Sequence, residues 1–349
     1  MKTPWSTPWP YGLRTIANAA LALGLVASAA AQTAPANRVY VSSEKDHKVH
    51  VFDGKGERVG SIDVCQRPRH MMFNASRSQL YVCCGDSNQL GIVDLVQGRM
   101  VRTVALGASP EIFDLSPDGK TAYVSIEDEN VMAAYDLDKG NKLFEVKTGG
   151  EPEGILVMPD GKTAYVTSEV ANVVHLIDLQ NRKLLKNIKV GNRPRRFALA
   201  ADGKELWVSN ELGASVTVLS TADQKLLGTV EFKVPGMRAS DITPVGLAPS
   251  ADGRTVWVGL GRANHVAFVD AATRKQTELV LVGKRAWNVA LNAAEVQHTS
   301  AMDAAPSLMS AASCCFFSRP SETTRSPSSS PSTPSLMSLK FLPSAARPK

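Results

Sequence analysis

Met158-Pro159-Asp160-Gly161-Lys162 leads into Thr163-Ala164-Tyr165-Val166-Thr167-Ser168, and this couple of elements decides the fold. Asp-Gly between apolar runs signals a tight turn, because glycine accepts a positive φ without steric cost. The aromatic-Val pair after it opens a short strand. The same couple stands at Ser116-Pro117-Asp118-Gly119-Lys120 with Tyr123-Val124, and at Ala200-Ala201-Asp202-Gly203-Lys204 with Trp207-Val208. It returns at Ser250-Ala251-Asp252-Gly253-Arg254 with Trp257-Val258, while Tyr40-Val41 and Tyr81-Val82 extend the series upstream. Steps between the aromatic-Val pairs are 41, 42, 42, 42 and 50 residues. The longer step holds an inserted loop, Val234 to Asp241, before Ile242.

Around each couple the neighbours also repeat. A second strand ends in Asp, as in Gly91-Ile92-Val93-Asp94 and His175-Leu176-Ile177-Asp178. A Lys- and Leu-rich strand follows, such as Lys183-Leu184-Leu185-Lys186-Asn187-Ile188, and then a turn with Pro, such as Gly149-Gly150-Glu151-Pro152 or Gly191-Asn192-Arg193-Pro194. A fourth strand closes the unit, as in Gly154-Ile155-Leu156-Val157. Four short antiparallel strands per repeat of this length define the blade of an all-β propeller. No helical apolar stripe competes with that reading. The first repeat begins near Arg38 at its second strand, so its missing first strand must come from the other end of the chain.

Composition agrees. Of 349 residues 44% are hydrophobic and only 6% aromatic, with 25 Gly and 20 Pro. The formal charge of +6 sits mainly at the ends, on Lys2 and Arg14 and on five basic against two acidic residues in 299–349. The body is nearly neutral, with no basic stripe for nucleic acid. Lys2 and Arg14 precede the apolar run Ile16 to Val26, and small residues follow up to Ala31. This is the layout of a secretory signal in 1–31, cleaved after Ala31; the run falls short of the roughly 20 residues a membrane span needs. The propeller domain then occupies 32–298, outside the cytoplasm. Residues 299–349 hold 14 Ser and 7 Pro and read as a disordered or frame-shifted tail that adds nothing to the blades. Two closures follow. Either the last inner strand, 286–291, pairs beside 38–43 in a ring of six, or a ring built for seven blades keeps a gap.

These residues resemble the YVTN-repeat β-propellers, as at Tyr165-Val166-Thr167-Ser168 and Trp207-Val208-Ser209-Asn210. More narrowly they are similar to the β-propellers associated with pyrroloquinoline quinone (PQQ)-dependent catabolism. That likeness rests on Glu44-Lys45-Asp46, Arg67-Pro68-Arg69, Tyr81-Val82-Cys83, Glu151-Pro152-Glu153-Gly154, Arg193-Pro194-Arg195, Glu205-Leu206-Trp207-Val208-Ser209 and Pro244-Val245-Gly246. The resemblance spans about 38–292. It implies a periplasmic, usually seven-bladed propeller linked to quinoprotein alcohol oxidation. The implied function is a non-catalytic binding scaffold, and the implied partner is a periplasmic quinoprotein dehydrogenase or its electron-transfer partner. Lactonase-like hydrolases and surface adhesion propellers are the alternatives the fold leaves open.

Candidate site residues cluster at the turns into the innermost strands: Arg67, Arg69, His70, Glu111, Glu151, Glu153, Arg193, Arg195, Arg196, Lys284 and Arg285. Arg69, Glu111, Glu153 and Arg195 each follow the turn proline, or its equivalent place, and should point at one axis. Two guanidiniums and two carboxylates there suit an anionic or zwitterionic ligand through charge-assisted hydrogen bonds, or a self-neutralising rim. Neighbouring loops add Glu44, Asp46, Asp86, Glu127, Asp128, Glu129, Glu169 and Glu211. No catalytic set, no metal site and no cofactor is expected: His47 and His50 straddle a strand start, and no Ca²⁺ loop, haem-attachment motif or phosphate loop is present. Cys83 and Cys84 point to opposite faces of a strand. Either the three body cysteines are buried thiols, or Cys65 bridges to one of that pair.

Overall fold

The computed structural model describes residues 38–282, 284–290, 309–311 and 315–317. The expected secretory signal lies outside the described residues. Six four-stranded antiparallel sheets form six blades, and a two-stranded sheet follows the sixth. From the axis outward, blade 2 runs Pro68–Phe73, Gln79–Cys84, Gln89–Asp94, Arg99–Ala105. Blades 3, 4, 5 and 6 repeat this order from inner strands Pro110–Leu115, Pro152–Val157, Pro194–Leu199 and Pro244–Pro249. The long step of the repeat is taken up by a loop with one 3-10 turn, Ala239–Asp241.

Blade 1 is the exception. Its three outer strands are Arg38–Ser43, Lys48–Asp53 and Arg58–Asp63, and its inner strand is Cys315–Phe317, pairing Val39 with Phe317 and Val41 with Cys315. The first strand is supplied from the far end, as the repeat requires. The tail was expected to add nothing to the blades, and these pairings correct that: Met309–Ala311 also pairs with the last inner strand, Asn288–Ala290. That strand does not lie beside Arg38–Ser43, so the six-fold closure through 286–291 is corrected as well.

The core lies between blades rather than within them. Tyr81 and Cys83 join Phe113, Val124 and Ile126 of blade 3, whereas Leu80, Val82 and Cys84 join Tyr40, Val49 and Ile62 of blade 1. Period-two alternation thus sends one strand's side chains into two interfaces. Middle strands are buried on both faces, while each outer strand buries little: Ile62, Val104, Val146, Ile188 and Val230 are the buried hydrophobics there. That explains the Lys-Leu pattern of the outer strands.

The punctuation residues act as their chemistry dictates. Gly119, Gly161, Gly203 and Gly253 have φ between 68° and 72°. Asp118, Asp160, Asp202 and Asp252 accept the backbone N–H of the residue after each glycine, at 3.0–3.1 Å. Asp94, Asp136, Asp178 and Asp270, at the strand ends, accept turn N–H groups in the same manner.

Candidate functional site

Among the described residues, each turn into an inner strand places one non-glycine residue at positive φ: Arg67, Ser109, Glu151, Arg193, Thr243 and Arg285, all between 49° and 56°. At five of these turns a side chain of the preceding blade accepts the backbone N–H. Asn88, Asn130, Asn172 and Asn264 accept the N–H of Ser109, Glu151, Arg193 and Arg285 through Oδ1, at 2.7–3.2 Å. His47 Nδ1 does the same for Arg67 at 3.1 Å. These clamps aim the residue two places on toward the axis, which gives Arg69, Glu111, Glu153, Arg195, Val245 and Trp287.

The four charged members of that ring meet. Arg69 pairs with Glu111, and its other guanidinium nitrogen lies 3.9 Å from Glu153. Arg195 pairs with Glu169 and lies 3.3 Å from Glu153 and 3.5 Å from Glu211. Arg196 reaches Glu153 at 3.2 Å, and Arg69 reaches Glu44 at 3.5 Å. At the lip Arg67 bridges Asp86 and Glu111, each at 3.4 Å, and Arg193 bridges Glu169 at 2.7 Å and Glu211 at 3.1 Å. One connected network therefore joins five guanidiniums to six carboxylates.

Burial sets the electrostatics. Glu111, Glu153, Glu169 and Arg195 are buried, whereas the side chains of Arg193 and Asp86 are 39% and 54% exposed. Loss of water pushes the Glu111 carboxyl up, and neighbouring Glu153 adds to this against the pull of Arg69. Burial also pushes Glu169 up. Burial works against Glu153 too, but Arg195, Arg196 and Arg69 together overcome it and hold that carboxylate well below its ordinary range. His70 rests edge-on against Phe113 with ring centroids 5.2 Å apart; burial and nearby Arg196 push its imidazole down to about 3.

The expected site residues can now be placed, and Asp128 is exposed. Arg67, Arg69, Glu111, Glu153, Arg193, Arg195 and Arg196 belong to the network, with Glu44, Asp86, Glu169 and Glu211 from the loops. Glu151 stands at a turn, with its N–H on Asn130 and its carbonyl accepting the Glu169 N–H at 3.1 Å, outside the network's ion pairs. Lys284 is exposed. Arg285 stacks on Trp287 at 5.3 Å, and Arg195 stacks on the same ring at 5.3 Å. Trp287 was missed, although it holds the ring position two residues after Arg285. Asp46 pairs with His50 at 3.1 Å. Glu127 accepts the Ser109 hydroxyl at 3.2 Å, and Glu129 the Ala108 N–H at 2.8 Å. Cys65 bridges to Cys84, and Cys83 is a buried thiol. Among the described residues no group of three or more His, Cys, Asp or Glu is set to hold a metal ion.

Chemically, an added anion finds every guanidinium of the network already held by at least one carboxylate. The exposed carboxylates at the lip, Glu44 and Asp86, are the groups that a basic side chain would meet first.

Fold and site together define a β-propeller with a charged face at its axis. The chain belongs to the YNCE-like beta-propeller family, whose family model matches residues 33–237. Among solved structures it is similar to hydrazine synthase from Kuenenia stuttgartiensis, with 21% identity, a TM-score of 0.67, and coverage of 74% of this chain and 87% of that one. It is also similar to a functionally unknown protein from Desulfotomaculum acetoxidans, with 18% identity, a TM-score of 0.58, and coverage of 71% and 79%. Likeness at these identities shows the fold. No curated protein matches the chain.

Proposed function

We propose that this is a non-catalytic binding propeller whose charged axial face docks a partner protein, working in the periplasm as an accessory of PQQ-dependent alcohol oxidation. The connected network of five arginines and six carboxylates carries the binding reading. Each buried carboxylate of the network faces at least one guanidinium, which suits a binding face held by charge-assisted hydrogen bonds. The exposed acids Glu44 and Asp86 form the docking rim for a basic side chain of the partner. The motifs around Arg67-Pro68-Arg69 and Arg193-Pro194-Arg195 support the link to quinoprotein partners, and Lys2, Arg14 and the apolar run before Ala31 support export.

The test uses immobilised protein against periplasmic extract of the source cells grown on ethanol or on succinate. A quinoprotein dehydrogenase or its electron-transfer partner should be retained from ethanol-grown cells only, and Glu44→Lys/Asp86→Lys should retain at least tenfold less. Identical captures from the two cultures would overturn the metabolic assignment. Capture unaffected by the double variant would overturn the axial face as the docking surface.

A further inference from the structure

The turn carrying Arg67 and Arg69 is fastened unlike its counterparts. At five turns the positive-φ residue's carbonyl accepts an N–H from the residue just past the second strand: Gly85 to Arg67 at 3.0 Å, Glu127 to Ser109 at 3.0 Å, Glu169 to Glu151 at 3.1 Å, Glu211 to Arg193 at 2.8 Å, Gly261 to Thr243 at 2.8 Å. Three of these turns have glycine two places before the positive-φ residue. A Cβ on Gly107 would lie 2.8 Å from Ile126 Cγ2, one on Gly149 2.5 Å from Ser168 Oγ, and one on Gly191 2.5 Å from Asn210 Cγ. Ile126, Ser168 and Asn210 are the last residues of their strands, and so is Cys84 in blade 2. Cys65 occupies the glycine's place. Where blades 3 to 5 seat their turns by pressing glycine against a side chain, blade 2 makes the same contact covalent.

The Arg67 side chain depends on both halves of that junction. Its guanidinium crosses Gly85, where a Cβ would stand 3.1 Å from Arg67 Nη1, and goes on to Asp86 and Glu111. Moving the turn relative to the strand end displaces this guanidinium and, two residues on, Arg69. Without the bond, two sulfurs need van der Waals separation and two hydroxyls share at most one hydrogen bond, so nothing covalent holds the turn to the strand end.

Resting on the reading of the axial network as a binding face, we infer that the Cys65–Cys84 disulfide positions the Arg67–Arg69 half of that network, while the Arg193–Arg195 half is seated by the Gly191–Asn210 contact. The two halves can then be perturbed separately.

Amide hydrogen exchange in the full-length protein tests this. The measured quantity is the ratio of the exchange rate of Gly85 N–H to that of Glu211 N–H, which occupy equivalent bonds in blades 2 and 5. Global destabilisation moves both rates together, so the ratio reports position alone. In Cys65→Ser/Cys84→Ser the ratio should rise at least tenfold. Cys65→Gly/Cys84→Ser, which copies the Gly149–Ser168 contact, should return it to within threefold of wild type. Should the serine pair fail to fold, Cys65→Ala/Cys84→Ala is read the same way. An unchanged ratio in the bond-less variants would overturn the inference, and so would failure of the glycine–serine copy to restore it. The ratio is read without any partner, so a negative capture experiment leaves it standing and points instead at the docking reading.

Discussion

Replacing Arg195 by Met removes the charge that three carboxylates share. Arg195 is 5% exposed and lies against Glu153 at 3.3 Å, Glu211 at 3.5 Å and, most closely, Glu169. Methionine keeps much of the volume and the packing on Trp287, so the loss is chiefly electrostatic. Breaking a buried ion pair from one side costs about 3–5 kcal/mol, because the remaining charge stays buried. Glu153 keeps Arg196 at 3.2 Å, and Glu169 and Glu211 keep Arg193 at 2.7 and 3.1 Å, which places the cost at the lower end, about 3 kcal/mol. For a domain of this size that corresponds to a fall in Tm of roughly 6–12 °C. The sign of the pH dependence follows. Without the guanidinium, Glu169, already pushed up by burial, rises further, and Glu153 loses the largest of the pulls that hold it down. The Glu169 contribution to stability is then retained at low pH and lost as pH rises through its raised folded-state pKa. Thermal and urea unfolding at pH 5 and pH 8 should therefore show a larger deficit at pH 8. Arg193→Met, at the exposed lip, should cost about 1 kcal/mol or less. An Arg195→Met deficit no larger than that of Arg193→Met, or one independent of pH, would refute the picture of a desolvated, mutually dependent network.

Asp114 accepts the Val157 N–H across the blade 3–4 boundary at 2.8 Å, and burial lifts its pKa to about 6. Its contribution is full below the ordinary value of 3.8 and is lost as pH rises through about 6, so Asp114→Asn should show a smaller change in Tm between pH 4.5 and 7 than wild type. Gly154 packs so closely that an added Cβ would strike the backbone carbonyl of Arg195. Gly154→Ala should thus cost at least the ~1–3 kcal/mol of ordinary overpacking, read from urea midpoints. His47→Asn copies the clamps of the other blades, and its Tm should stay within about 3 °C of wild type, a surface-scale change.

The blades were legible because strand-forming and turn-forming residues recur together. Tyr123-Val124 after Asp118-Gly119 and Trp257-Val258 after Asp252-Gly253 both stand where the spacing puts them. The Pro after each turn likewise marks the inner strand, which is why Arg69, Glu111, Glu153 and Arg195 could be placed on one axis. Trp287 escaped because Ala286 replaces the proline there, erasing the marker. The positive φ at Arg67, Ser109, Glu151 and Arg193 was also invisible: these residue types do not signal it, and the cost is met by an Asn or His from the preceding blade. Pairing of Met309–Ala311 and Cys315–Phe317 was hidden by a Ser- and Pro-rich context without alternation.

Blade 1 differs from the others in time as well as in composition. Five blades draw all four strands from one repeat, so each can assemble as soon as its own residues are present. Blade 1 must bring Tyr40 and Phe316 together, about 276 positions apart. Closing a loop that long costs roughly 1.7 kcal/mol more than closing one repeat, against a return of only three paired residues. This pairing is accordingly the last to form when the chain folds and the first to part when it is pulled or heated. The ring behaves as a belt with a single buckle. The Cys65–Cys84 bond sits one interface away from that buckle, so an opening at the seam that spreads through blade 1 meets a covalent stop before it reaches the arginines at the axis.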